Sequence, residues 1–318
     1  MEFSFTFHTI ALAIAKLFIL MFIGYFLYRR KLIDDKFTDT LSLMLVRAIF
    51  PALIISKITG HFSFNEYAYW WIFPLAAIIF SLAGMVIAMA ALRFFPGFKS
   101  PREFMCSSAF QNCGYLPMNL ILFSFASGVA DRLFIFTFLY IIGFNILMWS
   151  LIPLFLSGTL KSDFKVSVLF TPPIVATIFS LLWVAFMGKG TIPHVIGDPL
   201  MQLGNAAFPM AMVALGAYLC RYEAHNPKDK GPLFAAGIIK LLLFPALVLS
   251  VLMPIPLAAE CKFLLFLEAI MPTAVSLVVI GSYAASDNKF FSSSIFYTHV
   301  AAIFSIPLWL ALFDALVK

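Results

Sequence analysis

The feature that most constrains this chain is a succession of long apolar runs. The stretch at residues 130–156 is charged only at Asp131 and Arg132. It exceeds what a buried core helix needs and suffices to cross a bilayer. The runs are continuous rather than alternating, which excludes a transmembrane β-barrel. Of 318 residues, 63% are hydrophobic and 11% charged, against roughly 25% charged in an average soluble domain. Mean hydropathy is +1.01. The fold class is therefore an all-α polytopic membrane protein. At about 20 residues per crossing, ten spans fit, near residues 7–28, 39–57, 67–92, 103–125, 132–157, 170–187, 194–220, 232–253, 262–284 and 290–316.

The net charge of +6 reflects basic loops beside a membrane, not a nucleic-acid surface. The loops after odd-numbered spans hold Arg29, Arg30, Lys31, Lys36, Arg93, Lys99, Arg102, Lys161, Lys165, Arg221, Lys228, Lys230 and Lys289. The opposite side holds only Lys57, Arg132, Lys189, Lys262 and Lys318. Because Lys and Arg stay cytoplasmic, this bias puts both termini outside the cytoplasm. Arg29-Arg30-Lys31 follow the first apolar run, so it reads as a retained span rather than a cleaved leader. Cys106, Cys113, Cys220 and Cys261 lack metal spacing and read as small apolar residues. No enzyme motif is present, and no metal or cofactor is expected beyond a coupled proton or sodium ion.

Residues 48–52 read Ala-Ile-Phe-Pro-Ala in span two, and 206–210 read Ala-Ala-Phe-Pro-Met in span seven. Spans four and nine each carry an interior proline, Pro117 and Pro272. Both pairs are five spans apart. An odd period inverts the second half, so residues 1–157 and 158–318 read as two inverted five-helix repeats, a frequent carrier architecture.

Span four contains Gln111, Asn112, Gly114, Pro117 and Asn119. Pro117 cannot donate to the residue-113 carbonyl, and Gly114 lets the backbone open. Unwound backbone at membrane depth is tolerated only inside protein or beside a cavity. A half-helix starting near Pro117 would aim its N-terminal dipole at the break, a place for an anion. In span nine, Pro272 would free the Glu268 carbonyl in the same way, with Ser276 just beyond. Glu268 is an acid well inside a span and a candidate proton carrier, or else a structural ion-pair partner of Lys240 or Arg47. Arg47, one turn before Pro51, has the planar guanidinium for clamping a carboxylate. Lys240 and Lys16 are weaker candidates. His299 reads as a hydrogen-bonded helix contact rather than a proton relay.

These residues resemble the auxin efflux carrier family, bacterial relatives of the plant PIN carriers. Met271-Pro272-Thr273-Ala274-Val275, then Tyr283 and Asp287, is similar to the family's span-nine stretch. Asn112-Cys113-Gly114-Tyr115-Leu116 is similar to its span-four break. Phe50-Pro51-Ala52-Leu53-Ile54, Phe208-Pro209 with Gly216, and Ser305-Ile306-Pro307-Leu308 match spans two, seven and ten. Three positions depart from the pattern. Asn119 stands seven residues after Asn112, where members often have the proline. Ser276 replaces a second asparagine, and Arg47 replaces a small polar residue.

The resemblance implies helices four and nine crossing at their prolines. It also implies a scaffold (1–60 and 165–222), commonly a homodimer, and a mobile transport domain (65–157 and 232–318) moving elevator-like. The expected function is secondary transport, by efflux or exchange, of small organic anions such as carboxylates across the plasma membrane. Two alternatives stay open: a sodium-coupled symporter of the bile-acid carrier fold, and a ligand-binding sensor without transport.

Overall fold

The computed structural model describes residues 7–157, 170–223, 230–284, 286 and 288–317. Lys161, Lys165, Lys228 and Asp287 lie outside these residues. The described chain is all helix apart from loops and one isolated bridge. Seven helices are long and apolar enough to cross a membrane. In chain order the helices are α1 (Phe7–Arg29), α2 (Asp35–His61), α3 (Ile72–Phe94), α4 (Pro101–Ala109), α5 (Tyr115–Ser124), α6 (Ser127–Ser157) and α7 (Pro172–Met187). They continue with α8 (His194–Asn205), α9 (Ala207–Glu223), α10 (Lys230–Leu252), α11 (Ala259–Ala269), α12 (Ser276–Tyr283) and α13 (Asn288–Val317).

Local chemistry accounts for most boundaries. Asp34 caps α2 by accepting from the Phe37 N–H at 2.7 Å, one of the first-turn donors a helix leaves orphaned. Pro101 and Pro172 open α4 and α7, where a missing N–H costs nothing. Gly188, at φ +86°, stops α7. The expected end of span two at residue 57 is too early, because the helix runs on to His61. Lys57 is therefore helical rather than in a loop. It pairs with Asp131 of α6 at 2.6 Å.

Three π-turns share one cause. Leu45–Ile49, Leu147–Leu151 and Ile239–Leu243 each end two residues before a proline: Pro51, Pro153 and Pro245. In a regular helix the proline ring would strike the carbonyl four residues back. Widening the preceding turn avoids the collision, and Phe50, Ile152 and Phe244 donate instead to Leu45, Leu147 and Ile239. The Leu241 carbonyl, four residues before Pro245, accepts the Trp309 indole N–H at 2.7 Å.

Packing is closest where glycine removes the side chain. α1 and α9 lie along each other, Gly24 against the Val213 backbone and Gly216 against that of Met21. α2 packs on α7 and α8, with Gly204 so near that an added Cβ would sit 2.6 Å from Leu53 Cα. α3 packs on α4 and α6, while α4 also meets α10 and α13. Charged residues tie helix ends together. Arg132 of α6 forks onto Glu260 of α11 at 2.8 and 2.6 Å, and Arg221 of α9 reaches Asp39 of α2 at 2.9 Å. Ile19, Phe22, Val86, Phe186 and Phe304 are exposed, as surfaces facing lipid tails require. The chain is a multi-pass membrane protein.

Candidate functional site

Two breaks cross at the centre of the molecule. α4 ends at Ala109 and α5 starts at Tyr115; α11 ends at Ala269 and α12 starts at Ser276. The segments between them run antiparallel, with Gln111 and Thr273 forming the bridge. The Asn112 N–H donates to the Pro272 carbonyl at 2.8 Å, and the Ala274 N–H to the Phe110 carbonyl at 2.9 Å. Pro272 has no N–H to offer and occupies a position that only accepts. Each break thus satisfies backbone groups of the other, as apolar surroundings demand.

The half-helix starts at Tyr115, near Pro117 as expected, and Pro117 occupies its first turn, where no intrahelical N–H is needed. One local expectation is corrected. The Glu268 carbonyl is not left free, because it accepts the Met271 N–H at 3.4 Å.

α13 buttresses the crossing with polar side chains. Thr298 Oγ1 accepts the Thr273 N–H at 3.2 Å, and the Thr273 hydroxyl donates to the Ser107 carbonyl at 2.9 Å. Asn112 Oδ1 accepts the Tyr115 N–H at 3.2 Å, and Asn112 Nδ2 faces His299 Nε2 at 3.2 Å. Asn119 donates from Nδ2 to the Tyr115 carbonyl at 2.9 Å; its side-chain oxygen Oδ1 is buried without a partner. Gly114 and Ser276 are half-buried at the starts of the two outgoing half-helices.

Beside the break lies a buried charged cluster. Lys240 projects from the π-turn of α10 and is fully buried. It donates to the Ala109 carbonyl at 3.3 Å and to Gln111 Oε1 at 3.4 Å. A cation thus caps the negative end of α4. Gln111, its oxygen held by that ammonium, donates from Nε2 to the Tyr140 hydroxyl. Glu268 is 0% exposed, and neither carboxyl oxygen has a hydrogen-bond partner. No ion pair joins it to Lys240 among the described residues.

Asn112, Gly114, Pro117, Pro272, Ser276, Gln111, Lys240 and Glu268 therefore converge. Arg47 does not join them. Leu45, Ile49 and Phe50 turn inward, which leaves Arg47 exposed on the opposite side of α2. Thr273, Ser294, Thr298 and Tyr140 were missed by the sequence reading. For Ser294 and Thr298 a polar signal was present, since Ser292-Ser293-Ser294 and Thr298-His299 interrupt the apolar span, but it does not name their partners.

Past α5 lies a cavity of about 520 Å³ lined by Leu20, Leu122, Phe123, Asn205, Phe208 and Pro209. Lys16, one turn before Leu20 on α1, holds its ammonium 5.6 Å from the centre of the Phe123 ring.

An uncharacterized transporter of Methanothermobacter thermautotrophicus is 26% identical over 309 residues, covering 92% of this chain and 94% of the relative. An uncharacterized transporter of Methanocaldococcus jannaschii is 32% identical over 143 residues, 43% of this chain and 44% of that one. This second match thus spans less than half of the relative's length. The family described as "Membrane transport protein" matches twice in succession, at residues 9–161 and 158–310. With nearly the whole chain covered and the broken-helix residues in place, this protein belongs to the membrane transport protein family of auxin efflux carriers.

Proposed function

We propose that this chain is a secondary transporter of small organic anions such as carboxylates, acting by efflux or exchange across the plasma membrane. The observation that carries the reading is the crossing of the two breaks. There α5 and α12 start on either side of the antiparallel bridge, half-buried at Gly114 and Ser276. Paired half-helix starts in a carrier fold present free N–H groups and positive dipole ends to an anion. Lys16 and the apolar cavity beside it favour a substrate with a charged end and an apolar body.

Two consecutive family matches, together with the paired Phe-Pro and broken spans, support ten spans arranged as inverted repeats. The helices α1, α2, α7, α8 and α9, which pack on one another, would form the scaffold. The remaining helices would form the moving unit of an elevator, and the scaffold would dimerise. Glu268, buried without a hydrogen-bond partner, is the group that would carry a coupling proton.

The test is charge movement and radiolabelled counterflow in proteoliposomes, with a panel of mono- and dicarboxylates and indole-3-acetate. Sodium is exchanged for potassium, at two pH values. One carboxylate class should exchange, and Asn112→Ala or Pro272→Ala should abolish it. Folded protein that exchanges none of the panel refutes the reading. Ligand binding without counterflow would instead mark a sensor, and strict sodium dependence a symporter.

A further inference from the structure

The hydrogen bonds around Asn112 have only one consistent sense. The Ile295 carbonyl can only accept, so His299 Nδ1, 2.8 Å away, must carry a proton. In a neutral imidazole Nε2 is then a lone pair, and the Asn112 atom 3.2 Å from it must donate. That atom is the amide nitrogen. The amide oxygen consequently faces the Tyr115 N–H, which is itself a donor. Reversing any link sets donor against donor or acceptor against acceptor. His299 is 1% exposed and Asn112 4%, so no bulk water relieves such a mismatch.

An amide nitrogen has two hydrogens. One is given to His299, and among the described residues the other has no partner. We propose that His299 is a positioning residue for the transported anion: as a neutral, Nδ1-protonated imidazole it holds the Asn112 amide so that the oxygen caps α5 and the free N–H is offered to a carboxylate. This rests on the reading of the crossing as the anion site. Were the amide turned over, its oxygen would face the substrate and repel it, while the start of α5 would lose its cap. A histidine that only filled space would not distinguish the two orientations.

The experiment compares His299→Leu, which has no acceptor, with His299→Gln, whose side-chain oxygen reaches the Nε2 position. Counterflow uses the carboxylate that wild type exchanges best, and melting temperature is recorded for each variant. His299→Leu should raise KM roughly tenfold or more, the equivalent of one charge-assisted hydrogen bond, with maximal rate within about twofold. His299→Gln should restore KM. If His299→Leu does not fold, His299→Asn replaces it, since its shorter amide reaches only the Nδ1 position. In parallel, nitrogen-15 NMR of histidine-labelled protein assigns the His299 signal by its loss in His299→Gln. It should report the Nδ1–H tautomer.

An unchanged KM in His299→Leu, a maximal-rate loss without a KM change, or an Nε2–H tautomer overturns the inference while leaving the transport reading intact. Wild type that exchanges no carboxylate overturns the transport reading itself, and this inference with it.

Discussion

Replacing Lys240 by Met removes an ammonium but keeps the volume, so no cavity confuses the result. The lost contacts are long, 3.3 Å to the Ala109 carbonyl and 3.4 Å to Gln111 Oε1. They count together as one charged hydrogen bond of about 2 kcal/mol. Facing the C-terminus of α4 adds about 1 kcal/mol. The expected destabilisation is about 3 kcal/mol. Glu268 should modify it. Two unit charges ~4 Å apart at an effective dielectric of about 20 interact by about 4 kcal/mol. No ion pair joins the two, so with Glu268 ionised the coupling is smaller, about 2 kcal/mol at twice that separation. A double-mutant cycle of Lys240→Met and Glu268→Gln, followed by denaturant unfolding of detergent-solubilised protein, measures it. The double variant should be about 2 kcal/mol more stable than the sum of the singles predicts. Additivity within about 0.5 kcal/mol would show that Glu268 carries no charge beside Lys240, and the pairing of opposite charges beside the crossing would be wrong.

Gly216→Leu should drive α1 and α9 apart and abolish a folded, monodisperse peak in size-exclusion chromatography. Gly60→Ala, with nothing within 4 Å of an added Cβ, should leave the peak unchanged. Glu268→Gln should keep carboxylate counterflow but lose pH-gradient-driven uptake; retained uptake would assign the proton elsewhere. Arg47→Gln should leave KM within about twofold, because Arg47 is exposed and outside the crossing; a large KM increase would put it back in the site. The cycle of Arg132→Ala and Glu260→Ala should give a coupling of about 1–3 kcal/mol from the bidentate pair, read as melting shifts that shrink in high salt.

What the sequence made legible was whatever depends on single residues. Pro272 and Gly114 mark breaks because a proline lacks its donor and a glycine lacks its Cβ, wherever they stand. Hydropathy located the helices for a similarly local reason. The exact edge of the α4–α5 break is not legible from Pro117, because a proline is as comfortable in a first turn as at a rupture, and only the cross-chain bonds distinguish the two. Arg47 lies outside the crossing because its direction depends on helical phase, which the π-turn at Leu45–Ile49 shifts. Thr273, Thr298 and Tyr140 acquire meaning only from partners far away in the chain. Their spacing in sequence carries no trace of those partners.

The crossing has a consequence for biogenesis. Asn112 and Pro272 bond to each other yet lie 160 residues apart in the chain. At roughly 5–20 residues per second, α4 and α5 emerge from the ribosome about 8 to 30 seconds before their mates exist. For that interval the Asn112 N–H and the Phe110 carbonyl lack their partners across the crossing, and lipid offers none. The nascent first half must therefore wait in a wet or chaperoned setting, in the insertion machinery or at the interface. Truncation after α7 should leave a stalled, protease-sensitive intermediate, and the late arrival of α11 and α12 is the step that commits the chain to the bilayer.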